Sequence, residues 1–172
     1  MERVEPEEFS RRVSAKIGDL ATGIEVAYGH VRASVEPARI VDVVTTLKTD
    51  PDLLCTYLTF LCGVDWEAEG FEVVVTLYSV TNECNVILNV ALGPDGAMPT
   101  LTGVFRSADW HEREAHEMFG IKFEGHPNLV KLYLPEDFVG HPLLKSFKLA
   151  SRMYKPWPGA KDPSEAAGGG RG

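Results

Sequence analysis

Apolar positions recur at helical spacing in the first third of this 172-residue chain. Phe9, Val13 and Ile17 share a face after Pro6-Glu7-Glu8, which predicts a helix stopped by Gly18-Asp19. Ile40, Val41, Val44 and Leu47 form a second stripe, opened by Pro37. Asp50-Pro51 reads as the start of a third helix, from Leu53 to near Leu61, apolar on most sides and so buried. Residues 24–28 and 31–35 read as short strands around Gly29-His30. Beyond residue 70 the runs take strand lengths rich in Val, Ile, Leu and Phe. Residues 71–80 and 85–92, joined by Thr81-Asn82-Glu83, predict an antiparallel hairpin. Gly93-Pro94-Asp95-Gly96 is a turn, and Leu101 to Phe105 a shorter strand. Helices followed by a meander predict an α+β fold, a two-layer sandwich with a mostly antiparallel sheet and helices packed on one face.

The most organised stretch runs from Trp110 to Phe147. A short acidic helix, Trp110 to Phe119, ends at Gly120. Ser107 or Asp109 is its expected cap, with Glu112 three residues after Asp109 as in a capping box. Two His-Pro pairs follow, His126-Pro127 and His141-Pro142, flanking an alternating run from Leu129 to Leu134 that reads as a strand. So much fixed geometry with so few core residues predicts a docking surface. Residues 1–147 are expected to form one α+β domain. Residues 148–172, with Pro156, Pro158, Pro163 and a Gly-rich end, are expected to be an extended arm and tail.

The net charge of −8 argues against a nucleic-acid binder, because phosphate contacts need surplus Lys and Arg. The charge is uneven. Residues 1–120 carry 9 basic and 20 acidic groups, and residues 121–161 carry 7 basic and 3 acidic. This asymmetry is either a solvated surface or a basic C-terminal region that meets an acidic partner or lipid headgroups. The odd count of cysteines, Cys55, Cys62 and Cys84, lacks a C-x-x-C spacing and suits buried thiols in a reducing compartment. The first residues have no apolar signal-peptide core. No run approaches eighteen apolar residues, so any membrane link is expected to come through partners.

The string His111-Glu112-Arg113-Glu114-Ala115-His116 resembles a zinc-protease helix, but its histidines are five apart instead of four. On a helix that rotates the second ring by roughly 140° from the first. A solvated, charge-paired helix face fits better, with Glu114 and Glu117 on one side and Arg113-Glu117 as an i,i+4 pair. His126 and His141 each follow Gly and precede Pro. They read either as turns whose imidazoles bond nearby carbonyls, or as ligands or proton carriers. The carboxylates of this stretch have no apolar wall in sequence to raise their pKa for acid catalysis. Walker, G-x-S-x-G and G-x-G-x-x-G patterns are absent. An interaction subunit fits these residues better than an enzyme does.

Glu112-Arg113-Glu114, Met118-Phe119-Gly120-Ile121, Gly125-His126-Pro127, Leu129, Leu134-Pro135-Glu136-Asp137 and Gly140-His141-Pro142-Leu143 occur in that order. This series resembles the signature of the 30-kDa subunit of respiratory complex I, a component of bacterial NADH–quinone oxidoreductases. The series departs from it at four places. Glu117 stands where the family usually has Asp, and Val130-Lys131 where it has Arg-Arg. Phe138 replaces Trp, and Leu144-Lys145-Ser146 replaces Arg-Lys-Asp.

The resemblance implies a peripheral-arm subunit of a proton-translocating NADH:quinone oxidoreductase, on the cytoplasmic side of the cell membrane. It implies a chain with no catalytic, metal or cofactor site of its own; FMN, iron–sulfur clusters and quinone belong to partner subunits. The expected partners are the subunit resembling the large subunit of nickel–iron hydrogenases and the small subunit that holds the last cluster. The expected partner interface is Glu112, Arg113, Glu114, Glu117, Phe119, Gly120, His126, Pro127, Lys131, His141, Pro142 and Lys145. Three other readings stay open. One is the same scaffold in a membrane-bound nickel–iron hydrogenase or a reduced-deazaflavin dehydrogenase. The others are a zinc hydrolase using His111, His116 and His126, and a free-standing adaptor.

Overall fold

A computed structural model describes residues 4–93 and 96–148. The expected arm beyond residue 148 lies outside the described residues. Helix α1 spans Pro6–Ile17, with Pro6 at its first turn, Glu7 and Glu8 beside the positive end of its dipole, and Phe9, Val13 and Ile17 buried. Each of these apolar side chains contributes about 1.5–3 kcal/mol by leaving water. Strands β1 (Ala21–Ala27) and β2 (His30–Val35) form a hairpin, and α2 (Ile40–Thr49) buries Ile40, Val43, Val44 and Leu47.

Strands β3 (Tyr57–Asp65), β4 (Phe71–Ser79) and β5 (Cys84–Gly93) complete a five-stranded sheet in the order β1-β2-β5-β4-β3. The fold is α+β, as expected, but the sheet is mixed. Three pairings are antiparallel, whereas β2 and β5 run parallel. One face of the sheet is sealed by Val31, Ala33, Leu58, Leu61, Val73, Val75, Leu77, Val86, Leu88 and Val90, which join the helix stripes in one core. A small second sheet pairs β6 (Ala97–Pro99) in parallel with β7 (Lys122–Glu124). Between them runs α3, Ala108–Phe119, which packs chiefly on β3.

Three predicted elements are corrected. The helix expected over 53–61 is mostly strand β3. Asp50 ends α2, and its carboxylate accepts the Asp52 N–H, turning the chain. A bulge between Leu58 and Phe60 breaks the strict alternation that marks a strand, so the run looks apolar all round. The strand expected over 101–105 is a turn, closed by the Val104 and Phe105 N–H groups on the Leu101 carbonyl. The alternating run 129–134 is irregular backbone, because α3 and not a neighbouring strand meets its main-chain groups.

Candidate docking site

Helix α3 is fixed on the sheet by two glycines. Gly63 of β3 gives room for the helix end: a Cβ there would lie 2.7 Å from Ile121 Cδ1 and 2.8 Å from Phe119 Cδ2. Gly120 ends α3 at φ 81°, in the left-handed region, and its N–H donates to the His116 carbonyl. A Cβ on Gly120 would also sit 2.9 Å from His141 Nε2.

The acidic face is not the solvated surface that its composition suggests. Glu112 is fully buried. Its carboxylate accepts the Leu101 N–H at 2.6 Å and the Thr100 hydroxyl at 2.5 Å, so the expected capping box does not form. Ser107 occupies the cap position without a side-chain bond to the helix. Burial pushes the Glu112 carboxyl up to about 7, against the pull of Thr100 and Leu101. The dry wall missing from the local sequence is supplied by residues around Leu101.

Glu117 is 3% exposed and accepts three consecutive N–H groups, from Leu132 at 2.8 Å, Tyr133 at 3.0 Å and Leu134 at 2.5 Å. Burial alone would raise its pKa. The three N–H groups and the Lys131 ammonium outweigh burial and hold it below the usual carboxylate range. Arg113 therefore does not pair with Glu117 as expected. Its guanidinium lies 3.7 Å from Asp109 and donates to the carbonyls of Val130 at 3.0 Å and Lys131 at 3.1 Å. Lys131 Nζ in turn donates to the carbonyls of Pro135, Glu136 and Phe138.

The two His-Pro corners bond carbonyls, as the first of the two readings expects. His141 Nδ1 donates to the Glu117 carbonyl at 2.8 Å, and the Leu143 N–H to the Met118 carbonyl at 3.1 Å. His126 Nε2 lies 3.4 Å from the Asp109 carbonyl, and its Nδ1 accepts the Asn128 N–H at 3.0 Å. The histidines of the zinc-like string serve different contacts. His111 packs edge-on against Phe60, and His116 Nδ1 donates to the Ile121 carbonyl. Among the described residues no group of three His, Cys, Asp or Glu converges as metal ligands would.

Of the other expected interface residues, Phe119 packs toward Gly63, and Glu114 lies close enough to help raise the Cys62 thiol, which burial raises most. Pro127 is exposed and Pro142 half-buried. Lys145 is exposed along its side chain, with Nζ 3.6 Å from Glu67, while its N–H donates to Asp65 at 2.9 Å. Asp65 is a residue that the sequence does not single out, since its partner is eighty positions away. Nor does the sequence mark the apolar side chains left in solvent around these contacts: Trp110, Val130, Tyr133, Val139 and Leu143 are each at least half exposed.

The geometry is that of a polar-pinned ledge, residues 125–147, laid along α3 and the end of β3. Apolar side chains stand on its outward side beside the exposed Glu136, Asp137 and Lys145, while Lys131 is turned in on the ledge's own backbone. Among the described residues no helix is long and apolar enough to cross a membrane. Residues 33–153 match the family model described as respiratory-chain NADH dehydrogenase, 30 Kd subunit. The chain is 43% identical over 148 residues to the NADH-quinone oxidoreductase C-2 subunit of Rhizobium meliloti (strain 1021), covering 83% of this chain and 80% of that one. It is 39% identical over 164 residues to the corresponding C-type subunit of Roseiflexus sp. (strain RS-1), covering 88% and 94%. Two solved structures share the fold at 24% identity. One is a chain of an archaeal membrane-bound sulfane sulfur reductase, with a TM-score of 0.65 over 76% of this chain and 77% of that one. The other is a trypsin-resistant fragment of Nqo5, with a TM-score of 0.56 over 69% and 97%. The chain belongs to the family of the 30-kDa subunit of respiratory-chain NADH dehydrogenase, a component of NADH–quinone oxidoreductases.

Proposed function

We propose that this chain is a scaffold subunit of the peripheral arm of an NADH:quinone oxidoreductase, without an active site of its own. Its place is at the cytoplasmic face of the membrane. FMN, iron–sulfur clusters and quinone then belong to neighbouring subunits, and this chain holds those neighbours in register. The observation that carries the reading is the ledge over 125–147. Buried carboxylates of α3 and β3, Glu117 and Asp65, bind its backbone, while Val130, Tyr133, Val139 and Leu143 remain in solvent. Exposed apolar side chains on a rigid support are what a protein partner covers. The partner on this ledge is the subunit resembling the large subunit of nickel–iron hydrogenases, with the small subunit of the terminal cluster adjoining it. Pro127, Lys131 and Lys145 are the expected interface residues that are exposed.

Reconstitution of the complex tests this. Tyr133→Asp with Leu143→Asp is expected to reduce assembled quinone reductase at least about tenfold, because charge is buried without a partner. The isolated variant keeps its sheet by circular dichroism. Normal assembly of this variant, or NADH oxidation by the purified chain alone, overturns the proposal.

A further inference from the structure

We infer that Arg113 and Glu117 are positioning residues that act as a pair, reading the main chain of residues 130–134 and fixing the ledge before any neighbour binds. The run 129–134 alternates like a strand, yet no strand lies beside it among the described residues. Five consecutive residues instead give their main-chain groups to two side chains one turn apart on α3. The carbonyls of Val130 and Lys131 go to the guanidinium, and the N–H groups of Leu132, Tyr133 and Leu134 go to the carboxylate. The order matters chemically. A guanidinium can only donate and a carboxylate can only accept. Arg113 before Glu117 therefore matches carbonyls before amides, and the reversed pair matches neither.

Further contacts hold the readers themselves. Asp109 lies 3.7 Å from Arg113, whose guanidinium also sits 5.4 Å from the centre of the Trp110 ring. The carbonyl of Glu117 is bonded by His141, so the same residue anchors the ledge at two places, 132–134 and 141. Lys131 extends the scheme to Pro135, Glu136 and Phe138. A segment ordered this way loses little freedom when it docks. The inference concerns the chain itself and does not depend on which subunit the ledge meets.

Hydrogen exchange of the full-length chain, outside the complex, tests it in wild type, E117Q, E117D and R113K. In E117Q the amides of Leu132, Tyr133 and Leu134 are expected to exchange at least about tenfold faster, with β4 and β5 unchanged. E117D keeps the charge on a shorter stem and is expected to retain slow exchange at one or more of the three. R113K cannot fork across two carbonyls and is expected to speed the same amides less than E117Q does. Wild-type rates at these amides in E117Q overturn the inference. So does E117D matching E117Q, or a loss of protection that extends through β4 and β5, since each assigns Glu117 some role other than local positioning.

Discussion

The carboxylate of Glu112 lies 4.0 Å from Nε2 of His126, with both side chains almost completely shut off from solvent. Asp109 approaches the same nitrogen at 3.4 Å. His126 accepts from Asn128 at its other nitrogen, which places its proton on Nε2 in the neutral form. This cluster joins three segments: α3, the turn at Thr100 and the first His-Pro corner.

The Glu112 carboxyl, raised by burial to about 7, makes stability depend on pH. A folded pKa above the unfolded value favours the native state fully below the ordinary Glu range, and that contribution is lost as pH rises through about 7. E112Q keeps the shape and removes the titration. Its unfolding free energy relative to wild type is expected to rise by about 3 kcal/mol between pH 4.5 and pH 8. Urea titrations of both proteins across that range provide the check, and a difference that stays constant with pH contradicts the assignment.

Gly120→Ala is expected to cost about 1–3 kcal/mol, because the left-handed backbone and the His141 ring both oppose a Cβ. Gly63→Ala is expected to cost a similar amount for another reason, overpacking against Phe119 and Ile121. Thermal unfolding measures both. Adding His141→Ala to Gly120→Ala separates the terms: the steric part is relieved in the double variant, whereas Gly63→Ala gains nothing from the same change.

Asp65 holds the far end of the ledge through the Lys145 N–H, and this group with the neighbouring Glu67 N–H keeps its carboxyl below the ordinary range. That contribution is present above the ordinary Asp range and fades as pH falls through the depressed value. Asp65→Asn weakens a charge-assisted contact that is worth about 1.5–3 kcal/mol. Trypsin is expected to cleave after Lys145 several-fold faster in this variant and no faster after Lys16 or Lys48. Equal cleavage at Lys145 in both proteins removes Asp65 from this role.

The legible parts of the fold are those whose partners lie close in sequence. Phe9, Val13 and Ile17 announce α1, and the runs on either side of Asn82 announce a hairpin. Strand β3 reads as helix because its bulge hides the two-residue period and its apolar residues face both sides of the sheet. The signature stretch is visible in the sequence, but the jobs of its residues are not. Glu112 and Glu117 look like surface acids until the chain folds Leu101 and residues 132–134 onto them. The binding of amides by carboxylates has no sequence pattern, because any residue except Pro supplies the N–H.

Arg113 and Glu117 grip peptide groups and are blind to what those peptides carry. The exposed side chains of Val130 and Tyr133 can therefore be exchanged without loosening the mount, whereas Lys131 is itself part of it through the carbonyls of Pro135, Glu136 and Phe138. The ledge works as a fixed holder with interchangeable faces, and new neighbours can be accommodated by repainting its outer side alone.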